Sequence, residues 1–168
     1  MQGETIAKFE FFDHGFNPYS RYLDVDKVDL LLRRRENGRT HYREVQVKFG
    51  RLYECGAKWE SELFDVTSWR FFKTDEFGNH RADFFIAYVL SNPDTGYKGD
   101  IFIFPSQTFH ELIRAAISVG AGHKRKMYLS RSRADGEWYL RTATKFDALT
   151  PESVRSVQEF HRNFQLLS

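Results

Sequence analysis

The dipeptide Asn37-Gly38 separates two segments of alternating character, Val28 to Arg35 and Arg39 to Phe49. Asn-Gly accepts positive φ at both centres of a type I′ turn, whose twist matches that of the strands it joins. It therefore predicts a hairpin, and a hairpin this tight dictates a register. Glu36 pairs with Arg39, and counting outwards sets Asp29 opposite Gln46. Side chains alternate with period two, so Asp29, Glu44, Gln46 and Lys48 share one face. Val28, Leu30, Leu32, Val45, Val47 and Phe49 make an apolar surface on the other.

The rest of the chain reads as strands and helices in mixed order. Residues 3–12 carry Ile6, Phe9, Phe11 and Phe12 at roughly helical spacing, closed by Gly15 and Pro18. Phe16 to Tyr22 predicts a short first strand. Residues 50–62 are polar and irregular, Phe64 to Lys73 is strand-like, and Asp75 to Asn79 is its turn. Asp83 to Leu90 is almost continuously apolar, the pattern of a central strand covered on both faces. Asp100 to Phe104 is a further strand, and Ser106 is placed as the N-cap of a helix running to about Val119. Gly120 to Gly122 closes that helix, so His123-Lys124-Arg125-Lys126 begins as a basic loop. A second hairpin joins Lys126–Arg131 to Glu137–Thr142, and Thr150-Pro151-Glu152 predicts the start of a last helix. The expected class is α/β, a central mixed sheet flanked by helices.

Composition narrows the function classes. A chain of 168 residues with 41% hydrophobic content fits one domain spanning residues 1–168. The formal charge of +2 neither marks nor excludes a nucleic-acid binder, because a local basic patch can coexist with an acidic site. The single Cys55 provides no internal disulfide framework and suits a reducing, cytoplasmic setting. Histidines 14, 41, 80, 110, 123 and 161 lack the close spacing of a zinc site. No apolar run approaches the length of a membrane span, so no membrane partner is expected.

The polar hairpin face carries the chemistry. An acid, an amide oxygen and an ammonium brought together can hold a hard cation beside a phosphodiester. Asp29 before an apolar run, then Gln46-Val47-Lys48, resembles the PD-(D/E)XK nuclease superfamily in its Gln-x-Lys variant. The helix beginning Gly3-Glu4 and the later Asp83-Phe84-Phe85-Ile86-Ala87-Tyr88 and Ile101-Phe102-Ile103-Phe104-Pro105-Ser106 are similar to that family too. The resemblance covers roughly residues 3–115. It implies a restriction-endonuclease-like α-β-β-β-α-β core and metal-dependent hydrolysis of phosphodiesters in nucleic acid, DNA in the first instance. It also implies Mg²⁺, replaceable by Mn²⁺, held by Asp29 with Gln46 or Glu44, by a carbonyl near Val47, and by Glu4 as an accessory acid. Lys48 would be the catalytic ammonium, and a homodimer would suit an enzyme whose single site cuts one strand.

Gln46 departs from the family pattern, which has Asp or Glu at that position, and Glu44 is the neighbouring acid that would compensate. The alternative is a retained fold that binds nucleic acid or protein without cleavage. Asp24 and Asp26 rival Asp29 as ligands. Arg33 and Arg35 on the site face, and Lys124 and Arg125 further on, are candidate phosphate contacts. Trp59 and Trp69 either pack a loop or stack on unpaired bases.

Overall fold

A computed structural model describes residues 2–20, 27–76 and 81–168. The elements run α1 (Gln2–Asp13), β1 (Asn17–Ser20), β2 (Leu30–Glu36), β3 (Arg39–Arg51), β4 (Tyr53–Glu54), α2 (Lys58–Leu63) and β5 (Phe64–Lys73). They continue as β6 (Phe84–Asn92), β7 (Gly96–Pro105), α3 (Ser106–Ala115), β8 (Ile117–Ser118), β9 (Lys124–Ser132), β10 (Trp138–Arg141) and β11 (Val154–Ser156). Two 3₁₀ turns, Gln158–Phe160 and Phe164–Leu167, close the chain.

Among the described residues the architecture is mixed α/β with two sheets. The first has order β1-β2-β3-β6-β7 and is mixed, because β6 runs parallel to β3 while its other pairings are antiparallel. The second, β11-β10-β9-β5-β4 with β8 beside β9, is antiparallel. The expected mixed sheet is thus present, but it is not flanked by helices alone. The segment between β3 and β6 leaves the first sheet to supply β4, α2 and β5, and α2 is a short helix that the polar composition of residues 50–62 concealed.

The β6 side chains from Phe84 to Ser91 are all buried, and β6 therefore divides the core in two. On one side Phe85, Ala87 and Val89 join Leu30, Leu32, Val45, Ala7 and Phe11, so α1 covers this face. On the other, Phe84, Ile86, Tyr88 and Leu90 meet Phe109, Leu112 and Ile113 of α3, and Phe72, Met127, Leu129, Trp138 and Leu140 of the second sheet. Each such aliphatic or aromatic side chain contributes about 1.5–3 kcal/mol by leaving water.

The hairpin forms as its turn dictates. Asn37 and Gly38 both have positive φ, 50° and 78°, and the ladder runs from Glu36↔Arg39 to Leu30↔Val45. Counting one pair further fails. The Asp29 N–H donates to the carbonyl of Val45, already the partner residue of Leu30, so the strand kinks there. The kink turns Val28 away from Leu30: it packs with Ile86 and Tyr88 on the other side of the sheet.

Two helix boundaries differ from expectation. Pro105 occupies the cap position of α3, and Ser106 is the first helical residue, its hydroxyl donating to the Arg81 carbonyl at 3.3 Å. The helix stops at Ala115 because Ile117 and Ser118 pair with Lys126 and Arg125 of β9. The expected last helix is absent. Thr150 accepts bonds from Ser153 and Val154 N–H in one turn, after which Val154–Ser156 joins the edge of β10. Buried Val154 and Val157 favour that edge over a helix. Likewise His123-Lys124-Arg125-Lys126 is not a loop throughout, since β9 begins at Lys124. Tyr22 of the expected first strand and Phe77 to Asn79 of the expected turn lie outside the described residues.

Gly50 lets the two sheets meet. A Cβ there would lie 2.8 Å from Leu90 Cδ2, 2.8 Å from Ser68 Oγ and 2.9 Å from the Tyr88 hydroxyl. Beside it, Arg70 of β5 donates to the Phe49 carbonyl at 2.9 Å. Gly50→Ala is expected to destabilise the fold by about 1–3 kcal/mol, the usual cost of overpacking, as read from denaturant melts.

Candidate functional site

Lys48 points from β3 towards the second sheet and the turn after β5, its side chain only 12% exposed. Its neighbour on β6 is Tyr88, and that of Gln46 is Ile86. The Nζ stands 3.5 Å from a carboxylate oxygen of Glu76, in the turn after β5. Lys27 holds that turn, its Nζ donating to the Glu76 carbonyl at 2.9 Å. Burial lowers the pKa of the Lys48 ammonium below the usual lysine range. Glu76 and Asp29 pull it upwards, while Arg70 lowers it further. Asp29 is therefore close enough to act on Lys48.

The Asp29 carboxylate is itself fixed, its Oδ2 accepting the Val47 N–H at 2.6 Å. The backbone kink allows this: with its own amide on Val45, Asp29 caps the next free donor of β3 with its side chain. Gln46 is 7% exposed, and its Oε1 is buried without a hydrogen-bond partner among the described residues. A buried orphan oxygen typically costs about 1–3 kcal/mol, so it marks a place where a water or cation would be favoured.

The other expected site residues fare differently. Glu44 shares the face of Gln46 and Lys48, but its carboxylate accepts from Arg81, which also lies 3.9 Å from Asp83. Its charge is thus engaged by the Arg81 guanidinium. Glu4 belongs to α1, which covers the opposite face, where Gly3 packs against Phe49. Arg33 and Arg35 do lie on the site face, but towards the hairpin tip. At ~3.3 Å per residue, Arg33 is roughly 20 Å along the strand from Lys48. Lys124 and Arg125 lie on β9, on opposite faces of the second sheet. Asp24 and Asp26 lie outside the described residues.

Among the described residues no three His, Cys, Asp or Glu side chains converge as a metal centre would need. The oxygen set is smaller: the Asp29 carboxylate, the orphan Gln46 oxygen and nearby main chain. Oxygen donors of these types suit a hard cation such as Mg²⁺. Sequence reasoning missed Glu76, Arg70 and Arg81. Glu76 looked like a turn residue and Arg70 like one polar position of a strand, with nothing local to tie either to Lys48.

Comparison with known proteins gives no match to any family model, curated protein or solved structure. No helix among the described residues is long and apolar enough to cross a membrane.

Cys55 is held as a neutral thiol. Burial, together with Glu60, pushes its thiol up to about 12. Cys55 is expected to react with a thiol-exchange reagent near neutral pH far more slowly than a free thiol, whose pKa is about 8.5; unfolding restores the fast rate. Lys48, labelled at Cε and followed by NMR, is expected to titrate below the ~10.4 of a free lysine. Between those two values the unfolded chain binds the extra proton, so stability rises with pH through that window. Lys48→Met is expected to lose the rise in denaturant melts.

Proposed function

We propose that this protein is a Mg²⁺-dependent nuclease of the PD-(D/E)XK type, hydrolysing phosphodiester bonds in DNA, with Asp29, Gln46 and Lys48 as its working groups. The observation that carries the reading is a buried ammonium 3.5 Å from the Glu76 carboxylate, with Gln46 Oε1 buried on the same strand face and Asp29 fixed by the Val47 N–H. The chain order lends support: a helix, three strands and a return parallel to the third are compatible with a restriction-endonuclease-like core.

In this reading Asp29, Gln46 Oε1 and a carbonyl near Val47 hold the cation. When bound, Mg²⁺ supplies polarisation of the phosphate and a more acidic water. Lys48 donates to a phosphate oxygen on which charge grows during attack, and it orients the attacking water. Its burial strengthens that interaction, because little solvent screens it. Glu76 holds Lys48 in place and favours its charged form. Val47 N–H keeps one Asp29 oxygen directed at the backbone, which fixes the orientation of the carboxylate. Arg70 adds a second positive charge beside Lys48 for an anionic substrate.

A second reading is a module that binds nucleic acid without cutting it. Two observations favour it: Gln46 stands where an acid is expected, and Arg81 engages Glu44. Plasmid cleavage in Mg²⁺ or Mn²⁺ separates the two. Asp29→Ala and Lys48→Ala are each expected to slow cleavage by about 100-fold or more. Equal trace activity in the wild type and both variants would sink the nuclease reading. The wild-type rate is expected to fall on the alkaline side at a pH below the ordinary lysine range, as Lys48 loses its proton. Gln46→Glu restores a ligand charge and is expected to tighten Mn²⁺ binding by about tenfold in calorimetry. If neither protein binds Mn²⁺ while DNA binding remains salt-sensitive, the module reading stands.

A further inference from the structure

The outer face of the second sheet is unlike the rest of the surface. Alternation places Tyr53, Trp69, Phe71 and Lys73 there from β4 and β5, with Tyr128, Lys126 and Lys124 from β9. Phe72, Met127 and Leu129, their neighbours in sequence, fill the core on the inner side. Trp69, Phe71 and Tyr53 remain 40%, 39% and 38% exposed. Three aromatic rings so open to water, on adjacent strands of one face, are not serving the core.

Lysines are threaded among the rings. Lys126 Nζ lies 4.3 Å from the Trp69 ring centroid and 4.8 Å from that of Tyr128, and Lys124 Nζ lies 4.3 Å from that of Phe71. Lys73 is paired with Lys124 across the strands. Among the described residues, one end of the face is closed. There Trp59 and Phe64 pack edge-on against Phe146, and Arg141 lies over Phe64 and donates to Glu60. Trp59 is thus packing, whereas Trp69 is open.

We propose that this face binds an unpaired nucleic-acid strand, with bases stacked on Trp69, Phe71 and Tyr53 and phosphates held by Lys73, Lys124 and Lys126. Charge complementarity selects this occupant. An apolar protein partner would have to bury these ammonium groups, whereas a polyanion with flat bases uses both components at once. A base replaces an ammonium on the ring face, and the ammonium moves a short way to a phosphate. The exchange is easy because a cation over an exposed ring is only weakly held. The inference deepens the nuclease reading by naming a single strand, or the unpaired part of a branched one, as what the protein grips. Binding itself requires no cleavage.

The test is fluorescence anisotropy of labelled ~12-nucleotide oligothymidine and oligouridine strands, in EDTA so that nothing is cut. Trp69→Leu and Phe71→Leu are each expected to weaken binding by about tenfold, and Trp69→Phe is expected to restore most of it. Lys124→Ala and Lys126→Ala are expected to lower the salt slope by roughly 0.7 each. Binding of either the DNA or the RNA strand with this ring dependence supports the inference. Ring variants that bind like wild type would overturn it, as would a duplex bound equally tightly or self-association in sedimentation that depends on Trp69. Should Trp69→Leu fail to fold, as judged by circular dichroism, the Phe71 and lysine variants carry the same decision. Binding in EDTA and cleavage in Mg²⁺ are thus read separately. Ring-dependent binding without cleavage therefore fails only the nuclease reading, and cleavage without ring dependence fails only this one.

Discussion

The parallel pairing of β6 with β3 is the constraint on which the rest depends. It places a strand with almost no polar side chains in the middle of the first sheet, where both its faces must be covered. One cover is α1. The other cannot come from α3 alone, since ten residues are too short to shield Phe84 through Leu90, Phe102 and Phe104. The second sheet completes it. The detour between β3 and β6, costly in chain length, is what brings β5 into place for that purpose.

The same detour makes the candidate site. Lys48, Gln46 and Asp29 come from the hairpin, but Glu76 and Arg70 come from the second sheet and the turn after it. The sheets approach closely beside the site because Gly50 has no side chain to hold them apart. Closeness removes water from Lys48, and the loss of solvation is what lowers the pKa of its ammonium. A buried cation, and an amide oxygen left unpaired among the described residues, are poor design for stability. Such local cost is common where a site is arranged for a ligand rather than for the fold.

The hairpin shows how far sequence reasoning reaches. Asn37-Gly38 determined turn type and register correctly through seven pairs, because a type I′ turn leaves no freedom in either. Counting failed at the eighth position. Asp29 turned out of the ladder to let its carboxylate meet Val47 N–H, and no local pattern announces a kink that a side chain stabilises. The last helix failed for a related reason. Thr150-Pro151-Glu152 has the chemistry of a helix start, but Val154 found an open strand edge at β10 first.

By itself, the sequence determined the local elements whose signal is strong: the hairpin, the span of β5, the doubly buried β6 and the polar face bearing Gln46 and Lys48. These follow from turn chemistry and from the period of apolar residues, both of which act over a few neighbouring positions. Only the tertiary structure decided that the described residues form two sheets, that Glu76 pairs with Lys48, and that Trp69 stays open while Trp59 is packed. Those outcomes depend on which surfaces meet across long loops. Burial and charge pairing at such meetings are set by distance in space, which the order of residues does not encode locally.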